Sequence, residues 1–231
     1  TLDIGIKTGL FNDRLRFNAT YYKKNTDNLL INVPVPGATG TTSITRNAGE
    51  IENSGFEFDL GVTAVQTNDF SWDINLNLAT LQNEVLSLPG AGTDVQGRQF
   101  LQGTANQRAI VGESANSFYQ IRYVGVNPAT GDAEWLTRDG EVTTTPTPDD
   151  RVVTGDANPE FYGGLRSMIT WKNFDLSALF NFSYGNDILI DGDRFIRNPN
   201  FIGAFNLSTD ILDYYTAENT NAFVPSPASA T

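Results

Sequence analysis

The sequence predicts an all-β fold: an antiparallel transmembrane β-barrel, and only a fragment of one. Three observations carry this. Six segments alternate apolar and polar residues with period two. The runs at 14–24, 69–80 and 174–184 match the length a tilted strand needs to cross a bilayer, and exceed the usual soluble strand. Short turns also alternate with long connections, as in an outer-membrane barrel with short periplasmic turns and long outer loops.

The first segment sets Leu2, Ile4 and Ile6 against Asp3, Gly5 and Lys7. The second puts Leu15, Phe17, Ala19 and Tyr21 on one face, with Arg14, Arg16, Asn18, Thr20 and Tyr22 on the other. The third sets Phe56, Phe58, Leu60 and Val62 against Glu57, Asp59, Gly61 and Thr63. The fourth sets Phe70, Trp72, Ile74, Leu76 and Leu78 against Ser71, Asp73, Asn75 and Asn77. The fifth, with the weakest pattern, runs from Phe161 to Thr170. The sixth sets Phe174, Leu176, Ala178, Phe180 and Phe182 against Asp175, Ser177, Leu179, Asn181 and Ser183. Successive side chains of a strand point to opposite sides, so each segment has an apolar and a polar face. Tyr21, Tyr22 and Tyr184 stand at segment ends, where an apolar ring with a polar tip suits the membrane interface.

Gly9–Asp13, Ala64–Asp69 and Trp171–Asn173 read as tight turns. The stretches 26–49, 81–160 and 185 onward read as long connections. Residues 81–160 are expected to be mainly extracellular loop with partial local structure. A short strand is expected near Ser117–Val126, where Phe118, Gln120, Arg122 and Val124 alternate.

Composition removes several function classes. The chain has no cysteine and no histidine, which excludes disulfides, thiolate metal sites and a Ser-His-Asp triad. A formal net charge of -12 opposes a phosphate backbone, so no nucleic-acid partner is expected. No apolar run approaches the roughly 20 residues of a membrane helix. Glu113, Asp132, Glu134 and Asp139 have no spacing that supports a hydrolytic carboxylate pair, so no enzyme and no cofactor is expected.

Lipid forbids an open sheet edge, and single-chain barrels of this class begin at eight strands. Further barrel is therefore expected from residues outside Thr1–Thr231 or from another chain. Thr1 already adjoins an alternating segment, and the polar stretch Asn221–Thr231 reads as a closing loop. The runner-up is a secreted β-sandwich serving as a glycan-binding or adhesion module. A sandwich buries its apolar face against a second sheet, whereas a barrel exposes a belt about 25 Å tall.

Several stretches together resemble the C-terminal half of the barrel of SusC/RagA-type TonB-dependent outer-membrane transporters of Bacteroidota. They are GLFNDRLRFNATYYKKNTDNLLINVPVP (9–36), NAGEIENSGFEFDL (47–60), NDFSWDINLNLATLQNEV (68–85), DDRVVTGDANPEFYGGLRSMITWKNFDLSALFNFSYGNDI (149–188) and DYYTAENTNAFVP (213–225). The resemblance implies a 22-stranded barrel with an N-terminal plug, neither plug nor final strands lying within this chain. It implies import of a large nutrient such as an oligosaccharide or peptide, driven by TonB–ExbB–ExbD, and a SusD-like surface lipoprotein as cap. Many members carry an Asp-rich, calcium-like loop ahead of the DRVxxG segment. Here only Asp139 and Gly140 match it, so no metal site is expected.

Within that frame Arg14, Arg16, Asn18, Asp73, Asn75, Asn77, Asp175 and Asn181 are expected to face the lumen, as plug or substrate contacts or simply as its wet wall. Phe17, Phe58, Phe70, Trp72, Phe174, Phe180 and Phe182 are expected to face lipid. Gly49, Gly55, Gly163 and Gly164 read as positions that relieve crowding or permit bends. The loop aromatics Phe118, Tyr119, Tyr123 and Trp135 are the candidates for substrate or partner contact, because aromatic faces stack on sugars and anchor proteins.

Overall fold

The computed structural model describes residues 1–104, 106–198, 201 and 203–226, so 227–231 of the expected closing loop lie outside it. Four long strands come first: β1 (Leu2–Leu10), β2 (Leu15–Pro34), β3 (Ser43–Gln66) and β4 (Phe70–Thr80). Nine short strands follow: β5 (Gln82–Ser87), β6 (Gly92–Thr93), β7 (Gln99–Gln102), β8 (Gln107–Ile110), β9 (Ser117–Gln120), β10 (Arg122–Val126), β11 (Ala133–Leu136), β12 (Val142–Thr143) and β13 (Val152–Asp156). The long strands β14 (Phe161–Trp171) and β15 (Phe174–Tyr184) precede a single helical turn, α1 (Asp193–Ile196). The chain divides into two compact units, Thr1–Ser117 with Gly155–Asp187, and Phe118–Thr154 with Ile188–Thr231.

In the first unit the six alternating segments form one antiparallel sheet in the order β1-β2-β3-β4-β14-β15. Register keeps like with like. Phe17 lies opposite Leu60, Leu60 opposite Leu76, Leu76 opposite Leu165, and Leu165 opposite Phe180. A one-residue slip would turn every apolar side chain to the polar face, so the pattern excludes odd slips. A bulge at Ala64, between the pairs Thr63–Asp73 and Val65–Trp72, keeps the faces matched near the turn.

The three short turns hold at one end of the sheet. Phe11, Asn12 and Asp13 all take positive φ (56°, 56° and 63°), as does Lys172 (53°) in the two-residue turn between β14 and β15. Left-handed backbone matches the right-handed twist of the flanking strands and lets the hairpin close quickly. The turn at 11–13 is set back from the other two. Leu15 pairs with Val62, which pairs with Ile74, whereas β4 runs on to Phe70. Strand tilt in a closed barrel requires stagger of this kind.

Residues 26–49 are not the loop that their sequence suggests. β2 and β3 continue as a long hairpin past a bulge near Asn28, whose φ is 53°, and turn only at 35–42. The reason is tertiary. Ile31 and Val33 are buried against Val85 and Leu88, with Ile51 and Leu101 packed around them. Burying such a side chain stabilises by about 1.5–3 kcal/mol, enough to hold strand geometry that local sequence leaves open.

β5 returns to pair with β3 at 50–54, beyond the part of β3 that β4 covers. At the step between β4 and β5, the N–H of Leu81 donates to the carbonyl of Glu160. A polar knot fills the gap this step opens. Asn83 donates to Asn53 (2.7 Å) and accepts from the N–H of Ala115 (2.8 Å). Ser114 donates to Asp156 (3.0 Å) and accepts from the side chain of Asn158 (2.9 Å). Buried polar groups need such partners, since one left unmade costs about 1–3 kcal/mol. Farther along, β6, β7 and β8 form a small meander. At its first turn, burial acts to raise the pKa of Asp94. The backbone N–H of Arg98, its guanidinium and the N–H of Gln96 outweigh burial and hold the carboxyl below its usual range.

In the second unit, β10, β11 and β12 make a three-stranded antiparallel sheet. Asn127 shapes the first connection by accepting the N–H groups of Ala129 and Thr130. Gly131 follows with φ of 81° beneath the ring of Tyr215, a place where any β-carbon would collide. Asp139 and Gly140 form the tip of the second connection, Gly140 at φ of 90°. The described residues of region 81–160 thus carry nine short strands among their loops, and β9 and β10 stand where a short strand is expected.

Candidate functional site

The two faces of the sheet built by the six alternating segments are the first candidate. The apolar face is bare: Phe174, Leu176 and Phe180 are 72%, 65% and 62% exposed. None of the buried apolar residues comes from the six alternating segments. Aromatic rows bound this face. At the long-loop end Tyr21 packs on Phe56 (centroids 5.1 Å apart) and Phe161 on Tyr184 (5.0 Å). At the turn end Phe70, Trp171 and Phe174 lie side by side. β14 joins the two rows with 11 residues. At about 3.3 Å per residue that is roughly 33 Å along the strand, or about 25 Å after a tilt of about 40°. This is the height of the apolar band of a barrel in lipid.

The opposite face is a polar lattice. Asn18 donates to Asp59 (3.3 Å), and Thr63 donates to Asp73 (2.7 Å). The guanidinium of Arg16 lies flat over Gly61, 3.0–3.1 Å from where a β-carbon would stand, with Asn75 beside it. Arg14 sits in the turn and donates to the carbonyls of Thr63 and Ala64. Asn77, Gly164 and Asn181 lie opposite one another across β4, β14 and β15, and Asp175 faces Thr170. Together with Lys7, Asn18 and Asp59, Arg16, Asn75 and Asn77 border a groove of about 680 Å³. Every residue assigned by sequence to the lumen therefore falls on this one face or at its turn.

The four loop aromatics do not form one group. Phe118 and Tyr119 are buried in β9, 7% and 3% exposed. Both side chains are buried, unlike those of Tyr123 and Trp135. Tyr119 and Arg138 are within hydrogen-bond distance (3.4 Å). Tyr123 and Trp135 do come together, with rings 5.9 Å apart, edge to face. Phe223 closes on Tyr123 at 5.5 Å, and its carbonyl accepts the Tyr123 hydroxyl (3.0 Å). Burial pushes the Tyr123 pKa above its usual value. A cleft of about 670 Å³ opens over these rings, rimmed by Asp193, Arg197 and Asp210. Sequence reasoning missed Phe223 and the rim, because the stretch after 185 has no period to read. The Ala-Phe-Val-Pro sequence beside the aromatics was the available signal.

A family model described as "TonB dependent receptor-like, beta-barrel" matches residues 1–221. The chain belongs to the TonB-dependent receptor β-barrel family. TonB-dependent receptor P26 of Formosa agariphila is 32% identical over 241 residues, covering 97% of this chain and 24% of that receptor. TonB-dependent receptor SusC of Bacteroides thetaiotaomicron is 30% identical over 200 residues, covering 83% of this chain and 20% of SusC. The solved RagAB peptide transporter matches with a TM-score of 0.84 at 24% identity, over 97% of this chain and 25% of that one. The RagAB peptide importer in its closed-closed state matches at 0.85, over 99% and 26%. The chain thus spans about a quarter of the relatives it matches.

As part of a TonB-dependent receptor barrel, the sheet belongs to a larger closed structure of the outer membrane. The bare apolar face is then explained, because lipid covers it and no second sheet is needed. The β-sandwich alternative loses its basis on the same observation. These relatives are receptors and transporters. Glu113 is tied to Arg98 (2.9 Å), and Glu134 accepts from Asn127 (2.7 Å).

Proposed function

We propose that this chain supplies barrel wall and extracellular loops to an outer-membrane importer of a large nutrient, an oligosaccharide or a peptide. The observation that carries this reading is the sheet of the six alternating segments. It has one bare apolar face bounded by aromatic rows about 25 Å apart and one polar face bearing Arg16, Asp73, Asn75, Asn77, Asp175 and Asn181. On this reading the polar face lines the lumen, touching plug or substrate, and the remaining barrel and plug complete the wall. TonB–ExbB–ExbD drives the cycle through the N-terminal region, and a SusD-like lipoprotein covers the outer mouth. The name of the RagAB peptide importer supports nutrient uptake as the class.

Deleting the receptor gene is expected to remove growth on either a peptide digest or an oligosaccharide mixture as sole carbon source, with growth on glucose unchanged. Dissipating the proton gradient is expected to stop the same uptake. Unaltered growth of the deletion strain on both nutrients would count against import. Orientation has its own test. Proteinase K added to intact cells is expected to cut within 81–160. Cleavage seen only after the periplasm is opened would turn the barrel upside down.

A further inference from the structure

We propose that the cleft over Tyr123, Trp135 and Phe223 is a binding pocket for one aromatic or large aliphatic side chain of a peptide. This rests on the import reading and narrows its ligand class. The floor is apolar, with Ile211 and Pro225 beside the three rings. Its volume of about 670 Å³ holds one large side chain with flanking backbone, within the usual range of ligand sites.

Both guanidiniums of the rim are already paired. Arg197 lies between Asp193 (3.5 Å) and Asp210 (3.0 Å), and Arg194 pairs with Asp191 (3.2 Å). Asp213 accepts from Asn219 (2.7 Å). An anionic ligand gains little from a rim whose two arginines are already paired. The Tyr123 hydroxyl is likewise committed, to the carbonyl of Phe223. The indole N–H of Trp135 makes no hydrogen bond to another described residue. A peptide carbonyl can accept from that donor while its side chain covers the apolar floor, the ring supplying an apolar body and a polar handle together.

The test uses the full-length receptor purified in detergent, with three probes measured by calorimetry: blocked Ala-Phe-Ala, blocked Ala-Ala-Ala and maltotriose. The phenylalanine peptide is expected to bind at least about tenfold more tightly than the alanine peptide, a difference of about 1.4 kcal/mol, and maltotriose is expected not to compete. Trp135→Ala, which removes the floor, and Ala133→Trp, which fills the cleft, are each expected to erase that preference. Heat-modifiable mobility checks that each variant still forms its barrel, and the comparison of probes on the unaltered receptor needs no variant. Equal affinity for the two peptides overturns the pocket, as does maltotriose displacing the phenylalanine peptide. A preference unchanged by Ala133→Trp overturns it as well. Any of these with nutrient uptake intact leaves the import reading standing, whereas failure of the deletion strain to lose uptake strikes that reading itself.

Discussion

Phe180→Arg is expected to block barrel assembly, while Asn181→Asp, one residue along β15, is expected to assemble normally. Phe180 lies opposite Leu165, near the middle of the span between the Phe161 and Trp171 rows. It is 62% exposed on the bare apolar face, so an arginine there meets lipid rather than protein. Arginine at the midplane costs roughly 2–4 kcal/mol, and loss of the phenyl ring removes about 1.5–3 kcal/mol of transfer energy. Together these are a large part of the 5–15 kcal/mol that typically separates folded from unfolded protein. Asn181 points to the polar face opposite Gly164, where a new carboxylate keeps its hydration. Trp72→Arg is expected to be milder than Phe180→Arg. Trp72 lies opposite Ile169, two residues from the Trp171 row, and the penalty falls toward the interface. Heat-modifiable mobility of outer-membrane fractions reads all three. If Phe180→Arg and Asn181→Asp assemble equally, the assignment of faces is wrong. Native protein in the soluble fraction without detergent would refute membrane insertion altogether.

Gly163→Val is expected to lower the temperature at which the native barrel loses its fast-migrating form, and Gly164→Ala is expected to leave it nearly unchanged. A β-carbon at Gly163 would collide with the carbonyl oxygen of Asn77 on the neighbouring strand and press on the ring of Phe182 at 2.9 Å. The obstacle is backbone, so β14 itself must move away from β4. Overpacking of this kind typically costs about 1–3 kcal/mol. At Gly164 the nearest atom is the side-chain oxygen of Asn181 at 3.0 Å, the end of a flexible group on an open face, which swings aside. Equal melting of the two variants would show that strand spacing here is not set by Gly163.

The same pair shows what a sequence conveys about its own glycines. The period-two pattern marks Gly55, Gly163 and Gly164 as gaps, but does not say which gap is occupied. Gly55 and Gly163 each have a neighbouring carbonyl oxygen where a β-carbon would go, from Thr80 and Asn77, whereas Gly164 faces side chains with room to move. The loop aromatics divide in the same way. Tyr123 and Trp135 come together because β10 and β11 pair across the Asn127–Gly131 turn, with Tyr123 opposite Trp135. Phe118 and Tyr119 look equally available in sequence and are buried in β9.

The amino-acid sequence by itself determined the six alternating segments, their short turns and the face each side chain takes. Alternation at membrane length has one low-energy solution once each apolar face must leave water and each backbone group must be paired. Tertiary structure alone decided the rest. Residues 26–49 extend the β2–β3 hairpin because Ile31 and Val33 meet Val85 and Leu88, which no local pattern foretells. The aromatic cleft exists because Phe223 returns to Tyr123 from 100 residues away, closing with a hydrogen bond and a ring contact. Contacts of that separation lie beyond any periodicity, since their energy belongs to the pair and not to either segment alone.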